Sequence, residues 1–168
     1  MFKALFISFL ISMIPLVELR GALPVGIGFL QLYLCDVSLQ SVVALYAACI
    51  LGNMLPVPFI FLFARKFLEW GKDKKVIGRF CDFFLVKGHK GGEKLREKAG
   101  KGLYFALFLF VGIPLPGTGA WTGALAASLL DLDGKKTSLA VMSGVLLAGV
   151  IMLVLSLLGF GAASAAIS

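Results

Sequence analysis

Two ionisable side chains, Glu18 and Arg20, stand inside an otherwise apolar stretch, FLISMIPLVELRGALPVGIGFL, running from Phe9 to Leu30. Charges at such depth are costly and mark ion or substrate pathways by default. Glu18 can take up a proton or hold a cation, while Arg20 offers a planar fork of donors suited to a phosphate or carboxylate. Residues two apart on a helix do not face one another. Either the backbone is unwound around Arg20, Gly21 and Pro24, or each charge pairs with another element. The structural alternatives are an ion pair bracing a hairpin tip, or a hairpin so shallow that both charges sit in water.

A second constellation, GIPLPGTGAWTG from Gly112 to Gly123, carries no charge. Pro114, Pro116, Gly117 and Gly119 let the chain turn sharply, and bare amides at the following helix start form an anion-binding feature. Thr118, Thr122 and the Trp121 indole N–H add hydrogen-bonding groups; a plain tight turn is the competing reading. Asn53, polar within an apolar run, is expected to bond to a hairpin tip or to a neighbouring helix. Asp131 and Asp133 read as an interfacial turn and His89 as a solvated loop residue. Cys35, Cys49 and Cys81 are isolated, and no nucleophile with a base, carboxylate pair or metal-ligand spacing is visible. The expectation is a non-enzymatic protein without a metal or cofactor.

The elements that must position these residues belong to a membrane protein. Of 168 residues, 60% are hydrophobic and 15% charged, and the mean hydropathy is +0.98, far from a water-soluble composition. The N-terminal apolar run leads into Glu18, Arg20 and Pro24 instead of a small-residue cleavage site, so it reads as mature sequence. Residues 39–64 and 137–160 are long enough to cross a hydrocarbon core of about 30 Å. The first should bend where Gly52, Asn53, Pro56 and Pro58 interrupt it. The stretches 9–30 and 107–130 are broken near their middles, which points to re-entrant hairpins or discontinuous helices.

IPLVELRGAL from Ile14 resembles IPLPGTGAWT from Ile113, and each precedes a span with small residues every four positions. Those residues are Ala44, Ala48 and Gly52 in one span and Ala140, Gly144 and Ala148 in the other. Two broken elements in corresponding halves point to a transport site between them. Charge placement agrees. Residues 65–101 hold twelve Lys/Arg against five Asp/Glu, marking that connector as cytoplasmic. With Lys135 and Lys136, fourteen of the sixteen Lys/Arg fall on that side; the exceptions are Lys3 and Arg20. Within the connector, residues 73–85 have the spacing of an amphipathic helix at the lipid surface. Stacking aromatics with a glycine-rich RNA motif are absent, which argues against nucleic acid.

At VELRGALPVGIG from Val17 and VGIPLPGTGAWTGALAASLL from Val111, the sequence resembles the small multidrug export protein family. That family is similar in layout to the DedA / SNARE-associated Golgi protein superfamily. The resemblance implies two re-entrant hairpins meeting in the membrane, each followed by a span, with Glu18, Arg20 and Pro24 matching the first motif. Pro114, Pro116, Gly117, Thr118, Gly119 and Trp121 match the second. DedA-type relatives imply lipid or lipid-linked phosphate movement and proton dependence; Thr118 and Trp121 stand where those relatives carry arginine.

The expectation is therefore an all-α integral membrane protein of one domain, built as an inverted repeat of re-entrant hairpin plus span. Residues 1–64 form one repeat, 65–101 the cytoplasmic connector and 102–168 the other repeat. Its expected task is transport of a lipid, lipid-linked phosphate or small amphipathic molecule at the cell membrane, coupled to protons through Glu18, in a homo-oligomer. The alternative is a membrane scaffold or assembly factor. A cysteine at Lys90 should be labelled by impermeant reagents only from the cytoplasmic side, and one at Ser168 only from outside. Labelling of both from one side contradicts the inverted arrangement.

Overall fold

In a computed structural model, residues 1–33, 37–72, 101–115 and 117–167 are described. They are helical almost throughout, with no strand among them. The helices are α1 (Phe2–Ser12), α2 (Glu18–Tyr33), α3 (Leu39–Met54), α4 (Pro56–Lys72), α5 (Lys101–Gly112), α6 (Ala120–Leu129) and α7 (Gly134–Ile167). The expected amphipathic helix at 73–85 lies outside the described residues.

Two helical runs are long and apolar enough to cross a membrane, Leu39–Ala64 and Gly134–Gly159. The first is α3 continued by α4. Leu55 between them keeps a helical conformation and donates to Leu51 O, but Pro56 and Pro58 lack N–H groups and interrupt the ladder. Each run starts on a side-chain cap. Ser38 Oγ accepts from Ser41 N at 3.4 Å and Asp133 Oδ1 from Lys136 N at 2.9 Å, satisfying amides that a helix start leaves without partners. By contrast α1, α5 and α6 have 11, 12 and 10 residues. At about 1.5 Å per residue, none of them crosses a bilayer alone.

One of the two sequence alternatives for the charges is removed. The first broken stretch is not unwound at Arg20, Gly21 and Pro24: α2 runs unbroken through all three. The break falls earlier, at residues 13–17, where Leu16 has φ 70° and Glu18, opening α2, has φ 50°. Pro24 removes one hydrogen bond and crowds the carbonyl four residues earlier, and α2 carries it because neighbouring helices enclose this turn through the fully buried Leu23 and Ile27.

Packing follows a corresponding plan in both halves. α1 lies mainly on α3 and α5 mainly on α7, while α2 reaches across onto α7 and α6 across onto α4. Residues Leu19, Leu23 and Ile27 of α2, Leu45 and Cys49 of α3, and Val141 and Val145 of α7 close the centre. The outer surface is apolar, with Phe2, Leu39 and Leu139 at 79, 81 and 69% exposure. A lipid solvent accounts for such a surface and water does not.

Glycines set how closely the short helices approach the spans. A side chain at Gly52 would run into the carbonyl oxygen of Phe9, and a Cβ at Gly144 would lie 2.8 Å from that of Phe108. Phe9 and Phe108 each stand five residues before an Ile-Pro-Leu, so the two contacts are counterparts in the sequence repeat. Gly52→Leu and Gly144→Leu should each cost about 1–3 kcal/mol through overpacking, whereas Gly102→Ala, with open space around it, should not destabilise. Thermal unfolding in detergent checks this; equal effects at all three positions contradict close approach as the role of the first two.

Candidate functional site

The site is where the tip of the first helical pair meets the tip of the second. The chain between α5 and α6 includes residues 113–115 and 117–119, and two glycines there adopt conformations that L residues rarely take: Gly117 at φ 81° and Gly119 at φ 152°. Gly119 is the N-cap residue of α6 and has no side chain with which to cap it. The cap comes instead from 102 residues away. Glu18 Oε2 accepts from Ala120 N at 3.2 Å and Oε1 from Trp121 N at 3.0 Å. A Cβ on Gly119 would collide with that carboxylate. Glycine is therefore required here twice, for its φ and for its missing side chain.

Glu18 is 4% exposed, a depth at which an ionised carboxylate persists only when its lone pairs are filled. Two amides and the positive end of the α6 dipole supply part of that compensation. Hydrogen bonds to a charged group contribute roughly 1.5–3 kcal/mol each.

Arg20 performs the opposite task on the other side of the same turn. Its guanidinium donates through Nη1 to Leu115 O, and through Nη2 to Thr118 Oγ1 at 2.9 Å and Ile113 O at 3.5 Å. These acceptors lie just past the C-terminus of α5, where the dipole is negative. Thr118 Oγ1 is in turn within 3.0 Å of Ile113 O and 2.9 Å of Leu115 O, to one of which it donates its proton. The two charges thus pair with another element, as one of the sequence alternatives had it: negative to a helix start, positive to a helix end. The short spacing matches the turn they grip, since α5 ends and α6 begins only a few residues apart.

Of the sequence candidates, Glu18, Arg20, Thr118, Gly119 and Trp121 meet here, Trp121 through its main-chain N–H. Its indole Nε1 is buried without a hydrogen-bond partner. Gly117 sits exposed at the turn with open space around it, and Pro114 lies between the two carbonyl-bearing residues; Pro116 is outside the described residues. Gly21 backs the site, since a Cβ there would stand 2.5 Å from Val17 Cγ1. Pro24 lies further along α2. Asn53 is 2% exposed and its Oδ1 has no partner, so the expected bond to a tip or a helix is not formed at that atom. Sequence reasoning missed the carbonyls of Ile113 and Leu115 and the amide of Ala120, because main-chain groups leave no residue signature. Their one signal is the Ile-Pro-Leu-Pro pattern, in which both carbonyls precede prolines.

The family described as "Putative small multi-drug export protein" matches residues 18–151, most of the chain and all of the site. The chain belongs to that family. No curated protein and no solved structure shows a significant match. For this member of the small multidrug export family, membrane location follows from the family together with the two apolar runs, and its first matched residue is Glu18.

Because the hydrogen bonds of both charges go to the second turn and none joins the two, neutralising both should not compensate. Glu18→Gln and Arg20→Gln should each lower stability by about 1–3 kcal/mol, and the double variant should be no more stable than the weaker single one. Recovery toward wild type in the double variant, by thermal unfolding in detergent, would indicate a simple ion pair instead.

Proposed function

We propose that this chain is a membrane exporter whose two helical tips form a proton-sensitive latch at the centre of the bilayer. The observation that carries the reading is the substitution of Glu18 for the missing cap of α6. A carboxylate held by two amides and a helix dipole is released by one event, protonation, which removes the charge from both bonds and from the dipole interaction. Arg20 is the charged group facing it among the described residues.

In this reading α1 with α2 and α5 with α6 are re-entrant hairpins related by an inverted two-fold repeat. The corresponding contacts of Phe9 with Gly52 and Phe108 with Gly144 support this. In this reading the substrate is a small amphipathic molecule or a lipid, including lipid-linked phosphate, which is what the sequence resemblance to DedA-type proteins implies. Such a phosphate would reach Arg20 by displacing neutral oxygens, a replacement that charge favours. Two spans and two hairpins enclose little volume, so a homo-oligomer completes the path.

Purified protein in liposomes tests this directly, with a pH gradient imposed and both lipid scrambling and uptake of an amphipathic dye followed. Wild type should respond to the gradient, and Glu18→Gln should lose that response by tenfold or more while remaining monodisperse and inserted. Transport by Glu18→Gln with unchanged gradient dependence excludes Glu18 as the coupling group. Absence of any transport by wild type favours the membrane-scaffold reading.

A further inference from the structure

Arg20 occupies a cradle that the second turn builds without it. Ile113 O also accepts from Leu115 N at 2.8 Å, and Leu115 O from Thr118 N at 3.2 Å. The Thr118 hydroxyl lies against the same two oxygens. These bonds are all within the turn, so they orient the oxygens whether or not Arg20 is present. Both carbonyls belong to residues followed by proline, Pro114 and Pro116. Their amides are tertiary and so rich acceptors, and the neighbouring proline nitrogens carry no proton to compete. No carboxylate takes part: the three groups on the guanidinium are neutral oxygens. Arg20 is only half-buried, and its bonds to the carbonyls lie on the exposed side of the turn.

From this geometry we infer that Ile113 O, Leu115 O and Thr118 Oγ1 form a binding site for an N–H-bearing organic cation, which the Arg20 side chain fills in the latched state as a tethered internal ligand. The inference rests on the export reading and names the substrate class of the same site. Oxygens that satisfy a guanidinium will satisfy a guanidinium or primary ammonium on a substrate once Arg20 moves away. Quaternary ammonium ions, having no N–H, are excluded, because carbonyl acceptors need a donated proton. The required chemistry can come from an exported amphipathic amine or guanidine, or from the primary ammonium of a lipid headgroup. A substrate cation must displace a side chain already held nearby, so binding to the wild-type protein is weakened by that internal competition.

Chemical rescue separates the site from the transport reading. Arg20→Ala empties the cradle, and methylguanidinium in the millimolar range should bind it. At ten times its dissociation constant the ligand should raise the Tm by roughly 3–6 °C. Wild type, already filled, should shift by less than a third of that. Tetramethylammonium and methyl phosphate should shift neither protein, and Arg20→Ala with Thr118→Val should lose most of the response. If Arg20→Ala does not fold, Arg20→Met serves, because its unbranched chain keeps much of the packing and donates no proton to the oxygens. A folded Arg20 variant without a guanidinium-specific shift, or with an equal shift from tetramethylammonium, overturns the site. In proteoliposomes, uptake of an alkylguanidinium dye and scrambling of an aminophospholipid then distinguish the two sources. Failure of both with rescue intact removes the export reading and leaves the cation site standing.

Discussion

A helix that begins or ends inside a membrane protein exposes amides at one end and carbonyls at the other, and lipid can satisfy neither. In the proposed re-entrant arrangement, the turn between α5 and α6 poses this problem twice within a few residues. It solves it only in part locally: Leu115 N, Thr118 N and the Thr118 hydroxyl reach the carbonyls, but Gly119 has no side chain to cap α6. Glu18 and Arg20 supply the missing partners, each matched in sign to the end it meets. The remainder of the arrangement serves to hold those two side chains against that turn.

Glu18, at the first position of α2, has a left-handed φ and Arg20 lies in the helix that follows, so that two charges two residues apart reach different targets. Backbone of that kind costs on the order of 1–3 kcal/mol and survives where surrounding contacts impose it. Here the contacts are the two amides of α6 on one side and the buried Leu19 and Ala22 on the other. The height of the tips is set elsewhere. Ser12 Oγ bonds to Cys49 O and Gly52 admits Phe9, which puts the end of α1 beside the last turns of α3. Gly144 admits Phe108 and Val111 in the same way, and Ser128 Oγ on Phe61 O ties α6 to α4.

Much of this was visible in residue types. The two long spans, the two broken stretches and the two charges stand out from composition alone, because burying a charge or breaking a helix in lipid is costly enough to leave a mark. The position of the first break was not visible: Gly21 and Pro24 read as helix breakers, yet their turn is enclosed by packing and the chain breaks at Met13–Val17 instead. Partner identity was not visible either. That Glu18 would cap α6 depends on bringing residues 102 apart together, and its partners are amides that every residue but proline possesses. Thr118 and Gly119 could be named, but the reason for Gly119 lay in the carboxylate pressed against it.

The measurement closest to the central claim is the protection of two amide protons. With the chain isotope-labelled in detergent or nanodiscs, hydrogen-exchange protection factors for Ala120 and Trp121 should be high near neutral pH. They should fall together as Glu18 is protonated, while amides in the middle of α6 change little, and in Glu18→Gln both should be low at every pH. Protection of Ala120 and Trp121 that is independent of pH and unchanged in Glu18→Gln would contradict a carboxylate cap at the start of α6, and with it the latch.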